Sequence, residues 1–301
     1  MSRHDEGRFA GVGGLELFWQ RWRPAGEPRL VVALVHGVGE HSGRYMNLVG
    51  PLVADGFAVY AFDHRGHGRS PGPRVHIDTW DDYHGDLDAF LGLVAQHEPG
   101  RKIVLYGHSM GSLVVLDYLL ARGRGREREQ EHGPGRGPQA GGPQGGDELA
   151  GVIVSGVPLE PVGIGKPYQA ALAKVLSKVT PRLTLDLGIA GDSLTRDPAA
   201  LEAARTDPQL TSRATVRWGA ESLATVQRVS REMAAVDLPL LVLHGGDDPL
   251  NRPAGAQALF DAVSSADKTL RIYPGVRHEP HNDIGHEQVA ADVKEWLAHL
   301  L

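Results

Sequence analysis

Lys102-Ile103-Val104-Leu105-Tyr106-Gly107-His108-Ser109-Met110-Gly111 (KIVLYGHSMG) is the stretch on which the fold turns. Its first half is a short apolar, β-branched run that reads as a buried strand, and Met110 to Ala121 continues with apolar residues at helical spacing. The join between them fits G-x-S-x-G. A strand that turns sharply into a helix needs glycines beside the serine, because side chains there would collide with neighbouring backbone, and the strained turn pushes Oγ into a cleft. Glycine and serine are common, so the pentapeptide alone says little. Its place directly after an apolar strand and directly before an apolar helix is the context that gives it weight.

Working outward, Leu30 to His36 (LVVALVH), Phe57 to Asp63 (FAVYAFD), Leu149 to Ser155 (LAGVIVS) and Pro239 to His244 (PLLVLH) are runs of the same kind. Each ends in His, Asp or Ser, and each is apolar without alternation, as expected of strands buried on both faces of a parallel sheet. Helical spacing occupies Tyr45 to Ala54, Trp80 to Gln96, Pro253 to Val263 and Glu287 to Leu301. Strands alternating with helices predict an α/β fold with a doubly wound, mostly parallel sheet. Ligands of such sheets bind beyond the carboxyl ends of the strands, which is where the polar motifs fall.

Two stretches break the alternation. Arg122 to Asp147 is built from Gly, Arg, Glu, Gln and Pro with almost no apolar residue, so burial cannot offset the entropy of ordering it. It is expected to be a disordered insertion, and no role is assigned to it. From about Pro158 to Val236, helical patterns such as Tyr168 to Leu176 are interrupted by Pro167, Pro181, Pro198 and Pro208. Lying between two core strands, this stretch is expected to be a helical cap over the site. The expected organisation is a core of residues 1–157 and 237–301 with a cap of residues 158–236.

A serine hydroxyl becomes a nucleophile only when a base removes its proton, and that base needs an orienting carboxylate. Both are expected after Ser109, acid first and histidine second. Leu241 to Pro249 (LVLHGGDDP) ends a strand in adjacent acids, and Tyr273 to His278 (YPGVRH) ends another in histidine. Asp248 is preferred because of its spacing after the strand, with Asp247 left open as the alternative. His278 is preferred over His281 and His286, which lie further from the strand end. The oxyanion needs preorganised N–H donors. Met110 N–H, at a helix start, and Val38 N–H, in the glycine-bearing loop His36-Gly37-Val38-Gly39-Glu40, are the candidates.

At these residues the chain resembles the monoacylglycerol lipase and lysophospholipase branch of the α/β-hydrolases. The resemblance rests on His36 to Tyr45 (HGVGEHSGRY), Phe62 to Ser70 (FDHRGHGRS), Gly107 to Gly111, and Asp267 to Gly275 (DKTLRIYPG) leading into His278, and runs from about Gly14 to Leu301. It implies an α/β-hydrolase fold whose cap is inserted before the strand carrying the catalytic Asp. It implies hydrolysis of a fatty acyl ester of glycerol or a similar single-chain ester, without metal or organic cofactor. By the same resemblance Glu40, His41 and Arg44 are candidates for shaping the polar end, with loop-stabilising contacts as their plain alternative. Leu159, Val162, Ile164, Leu172, Val175, Leu176 and Val179 would line an acyl tunnel, touch a membrane or micelle surface, or pack within the cap. The insertion is unlike the family, and Ala203 to Pro208 (AARTDP) lacks a tyrosine that some members carry just before the Asp-Pro.

Composition narrows the remaining choices. With 31 Lys and Arg against 37 Asp and Glu there is no basic stripe for a phosphate backbone, and nucleic acid is not an expected partner. The absence of cysteine removes disulfides and thiolate chemistry. A charged N-terminus and no membrane-length apolar run lead to the expectation of a soluble, cytoplasmic protein. Alternatives on the same site are a lysophospholipase, a general carboxylesterase, an acyltransferase passing the acyl group to an alcohol or amine, and an aminopeptidase using Glu202, Asp207, Glu221 or Glu232. A catalytically silent receptor or scaffold is the reading from a different class, and the complete set of triad residue types argues against it.

Overall fold

The computed structural model describes residues 3–132, 149–162, 173 and 175–301. Eight strands form one sheet in the order β1-β2-β4-β3-β5-β6-β9-β10. The central strands are β3 (Val31–Val35), β4 (Ala58–Phe62), β5 (Ile103–His108) and β6 (Leu149–Ser155), followed outward by β9 (Leu240–Gly245) and β10 (Lys268–Tyr273). All six run parallel.

Alternate residues of β3 feed two different cores. Val31, Ala33 and Val35 pack with α2 (Asp81–His97) and α3 (Met110–His132), while Val32 and Leu34, with Leu30 just before the strand, pack with α1 (Met46–Ala54) and the C-terminal helix (His286–His299). A strand sandwiched this way has no solvent face, which is why its sequence shows no polar alternation.

The sheet also has an edge that the apolar runs do not announce. β1 (Arg3–Ala10) pairs antiparallel with β2 (Glu16–Arg23), and β2 pairs antiparallel with β4. β1 is mostly exposed, so its charged residues face water, and the charges blunt an edge that would otherwise invite pairing with another chain.

Helix α3 extends to His132, eleven residues beyond the expected end at Ala121, so the expectation of an unstructured insertion gives way at its start. Arg, Glu and Gln are good helix formers, and a helix nucleated by its packed first half propagates at little cost. Residues 133–147 of the expected insertion lie outside the described residues.

Between β6 and β9 the described residues hold β7 (Thr184–Asp186) and β8 (Arg213–Thr215), paired antiparallel, and the helices α4 (Pro198–Thr206) and α5 (Val216–Glu232). The expected purely helical segment therefore contains a small sheet as well. Strands of three residues are too short to leave a periodic trace. Pro198 stands at the first turn of α4, with the Asp197 carboxylate accepting from the Ala199 and Ala200 N–H groups as cap. Helix α5 is tied to the core at its far end, where Arg228 donates to both oxygens of the buried Asp117 at 2.6 Å. Helix α6 (Pro253–Ala262) and the C-terminal helix, α7 (His286–His299), complete the core.

Candidate active site

Ser109 lies between β5 and α3 with φ of 51°, a conformation that costs a non-glycine residue about 1–3 kcal/mol. The surroundings enforce it. A Cβ on Gly107 would stand 2.6 Å from the Gly111 carbonyl oxygen, and one on Gly111 would stand 2.0 Å from that of Val35, so neither flanking glycine admits a side chain. Ser109 N–H donates to the Ser155 carbonyl at 2.8 Å, and Ser112 N–H donates to the Ser109 carbonyl at 2.9 Å. Among the described residues, the Met110 N–H takes no part in this bonding.

The loop after β3 is held from beneath. Gly37 N–H and the Tyr45 hydroxyl both donate to Glu40 Oε1 at 2.6 Å, and Arg44 Nε donates to Glu40 Oε2 at 3.2 Å. His36 Nε2 accepts from the His64 N–H at 2.9 Å, so its Nδ1 carries the proton and donates to the Gly37 carbonyl at 2.7 Å. Val38 N–H is not used in this network among the described residues.

His278 Nδ1 donates to Asp248 Oδ2 at 2.8 Å. The other oxygen of Asp248 accepts from the Leu250 and Asn251 N–H groups at 2.8 and 3.0 Å. Burial works against the Asp248 charge, but His278, His244 and the Asn251 N–H outweigh it and hold the carboxyl far below the ordinary range. Burial likewise works against an imidazolium at His278. The charge of Asp248 and its hydrogen bond overcome that, with help from Glu279 and Glu40, so His278 titrates above the ordinary imidazole value.

The alternatives weighed from sequence are placed elsewhere. Asp247 is exposed, and its N–H donates to the Val276 carbonyl. His281 is buried and stacks on Tyr45, with ring centroids 4.4 Å apart. His286 faces Glu287 at 3.7 Å.

Ser109, His278, Val38 and Met110 line one cavity of about 730 Å³, of the size that holds a small organic ligand. The 158–236 segment supplies much of its lining, including the apolar Leu187, Ile189, Leu194, Leu201, Leu210, Trp218, Leu223 and Val226. Glu40 and Arg44 line it too, whereas His41 does not: its Nε2 donates to Asp207 Oδ2 at 2.7 Å. Of the apolar residues expected to line an acyl tunnel, Val162 is on the cavity wall, Leu159 is packed in the core, and Val175 and Val179 are exposed. Ile164 and Leu172 lie outside the described residues.

This architecture has close relatives. The family model described as serine aminopeptidase, S33, matches residues 26–128 and 140–285. The monoacylglycerol lipase of Mycolicibacterium smegmatis is 34% identical over 297 residues, covering 98% of each chain. The human monoglyceride lipase is 31% identical, covering 96% of this chain and 89% of its own. The chain belongs to the monoacylglycerol lipase family of the α/β-hydrolases. Among solved structures, the monoacylglycerol lipase of Paleococcus ferrophilus superposes with a TM-score of 0.79 at 31% identity, covering 95% of this chain and all of its own. Membership makes the chain an ester-hydrolysing enzyme.

Several residues of this lipase-family site were not singled out from sequence. Glu279 lines the cavity and accepts from Arg44 Nη2 at 2.8 and 2.7 Å, so Arg44 is shared by two buried carboxylates. Burial works against the Glu279 charge, and Arg44 overcomes it, holding that carboxyl below the ordinary range. Burial and the charge of Glu279 push Glu40 the other way. Asn251 donates through its side chain to the Gly156 carbonyl at 3.0 Å, bracing the turn next to His278. His244 sits at the end of β9 within reach of Asp248, and its polar side chain at the tip of an otherwise apolar strand was the available signal. The family motif Phe62 to Ser70 is scaffolding: Asp63 accepts from the Ser42 N–H and hydroxyl and from the Arg69 N–H, joining the turn after β4 to the start of α1.

Proposed function

We propose that the protein hydrolyses fatty acyl esters of glycerol, as a monoacylglycerol lipase, through an acyl-enzyme on Ser109. The cavity carries this reading: it joins Ser109 and His278 to a long apolar wall and to the polar pair Glu40 and Arg44. Ser109 Oγ attacks the ester carbonyl while His278 Nε2 takes its proton. Val38 and Met110 N–H groups receive the oxyanion, and Asp248 steadies the imidazolium. Collapse of the tetrahedral adduct breaks the bond to the alcohol, which leaves with the proton from His278. Water then attacks the acyl-serine, giving its proton to His278, and the fatty acid departs as Ser109 recovers its hydrogen.

Residues 158–236 act as the cap in this reading. The acyl chain lies against its apolar side chains, and the exposed Val175, Val179, Leu183 and Leu185 suit transient contact with the membrane or micelle that holds the substrate. No helix among the described residues is long and apolar enough to cross a membrane.

The aminopeptidase alternative draws less support. Of the four acids it would use, only Asp207 lines the cavity, and its carboxylate is occupied by His41. Glu202 is bonded to Arg205, Glu221 lies 3.3 Å from the Trp80 N–H, and Glu232 is paired with Arg124.

The test is free fatty acid release from a chain-length series of monoacylglycerols, with diacylglycerols, lysophospholipids and an aminoacyl anilide alongside. Preference for monoacylglycerols is expected. Faster turnover of a lysophospholipid or of the anilide overturns the substrate assignment, and transfer of the acyl group to added glycerol in preference to water makes the enzyme an acyltransferase. Failure of a fluorophosphonate probe to label Ser109 overturns the mechanism and favours a silent receptor.

A further inference from the structure

Asp248 is in contact with two histidines. Oδ2, which accepts from His278 Nδ1 at 2.8 Å, also lies 3.2 Å from Nε2 of His244. His244 is fully buried at the end of β9, four residues before the acid. The hydrogen bond of its Nε2 goes to the Asn251 carbonyl oxygen at 3.0 Å, with Oδ2 of Asp248 as the second, longer neighbour, and among the described residues its Nδ1 is buried without a hydrogen-bond partner. Both groups facing Nε2 are acceptors, a carboxylate and a carbonyl, so Nε2 must carry the proton. The tautomer follows from the surroundings.

We propose that His244 is a positioning residue of the catalytic apparatus: its Nε2–H donates to the same oxygen of Asp248 that holds His278, and so sets both the place and the basicity of that oxygen. The proposal rests on the Ser109, His278 and Asp248 mechanism above.

Three hydrogen bonds hold the carboxylate, two on Oδ1 and one on Oδ2, and His244 Nε2 stands 3.2 Å from Oδ2 as the fourth donor of the proposal. Rotation of Asp248 about its Cβ–Cγ bond would break at least two of them, so Oδ2 stays in line with His278. The second donor also draws electron density from Oδ2, which tempers the support that the oxygen gives to a protonated His278. Removal of the donor should therefore loosen the acid and raise the pH at which His278 loses its proton. The other charged or titratable groups around His278 include Glu279 and His281 from the turn after it, Glu40 from the loop after β3 with Arg44 between it and Glu279, and His108 from the elbow, with rings 5.0 Å apart. None of these contacts Asp248, so they are common to all the variants below.

The experiment compares wild type with His244→Phe, which keeps a ring but has no donor, and His244→Gln, whose amide can donate in place of Nε2. His244→Phe should lower kcat by about 10–100-fold, by analogy with the outer hydrogen-bond partners of metal-bound histidines, with KM unchanged. The acid limb of its kcat/KM profile should move to higher pH, and His244→Gln should restore both. A folded His244→Phe enzyme with wild-type kcat and an unmoved limb overturns the proposal. So does equal loss in both variants with the limb unmoved, which would mark a packing role.

A measurement on the wild type keeps the idea testable if the Phe variant does not fold. Nitrogen-15 spectra of histidine-labelled protein, with His244 assigned by its disappearance in His244→Gln, should show the Nε2–H tautomer at pH 7. The Nδ1–H tautomer or the doubly protonated ring would end the proposal. Labelling of wild-type Ser109 by a fluorophosphonate separates this outcome from failure of the mechanism itself.

Discussion

The backbone N–H of Thr211 donates to the Gly39 carbonyl at 2.9 Å, so the loop proposed to bear one oxyanion donor is tied directly to a segment that lines the cavity. Together with the His41 contact to Asp207, this makes residues 207–211 a structural support of the loop after β3 as well as a cavity wall. Gly39 has φ of 72°, and a Cβ there would stand 2.0 Å from the Thr211 carbonyl oxygen. Gly39→Ala should push the two segments apart and misplace Val38 N–H. Loss of one oxyanion donor costs roughly 100–1,000-fold in kcat, and a fall approaching that range is expected in steady-state assays of a correctly folded variant. Wild-type kcat would show that Val38 is not a donor.

The two adjacent acids should separate cleanly. Asp248→Asn should lower kcat by about 10,000-fold, as for an acid that holds its histidine in the reacting tautomer. Asp247→Asn, at an exposed side chain, should remain within a few-fold of wild type. Steady-state kinetics of the two single variants measures both, and the reverse order would move the acid role to Asp247.

Buried neutral histidines should make the fold acid-sensitive above the carboxylate range. Burial holds His36 and His67 at about 3 and His281 at about 4, and pushes His64 and His108 well below the ordinary value. In the unfolded chain these groups take up protons below about pH 6.5. Their contribution is therefore complete above about 6.5 and is lost as pH falls from there toward 3. Each supplies at most about 1.4 kcal/mol per pH unit. His278 is raised and opposes this, its contribution being present below about 6.5 and lost as pH rises through its folded value. The depressed Asp248 acts only at the bottom of the range, with stability present above about 3.9 and lost as pH falls through its folded value. The urea midpoint should be clearly lower at pH 5 than at pH 7.5. Equal midpoints would mean that these histidines protonate readily in the folded protein.

Arg44 joins Glu40 to Glu279 within the site. Arg44→Met would leave both carboxylates buried without their cation, a loss that costs about 3–5 kcal/mol where one partner of a buried ion pair is removed. Thermal unfolding of Arg44→Met should show a lowered midpoint even with no substrate present. An unchanged midpoint would indicate that the carboxylates bind protons and tolerate the loss.

What the sequence determined by itself was local. Val31–Val35, Ala58–Phe62, Ile103–His108, Leu149–Ser155 and Leu240–Gly245 were legible because a buried parallel strand is an unbroken apolar run, and the candidates Ser109 and Asp248 were reached because each follows the end of such a strand, His278 because it follows the half-buried strand Lys268–Tyr273. The antiparallel pair Arg3–Ala10 and Glu16–Arg23 was not, since an exposed edge strand may be charged and carries no buried period. Only the tertiary structure decided which of two neighbouring acids turns inward to His278, that His244 comes within 3.2 Å of the same oxygen, that Thr211 reaches Gly39, and that Arg44 meets Glu279 across 235 positions of sequence. Period and turn chemistry act over a few residues and can be read there. Partnerships between side chains arise where strand ends and loops converge, and they depend on packing that brings distant positions within 3 Å or so of one another.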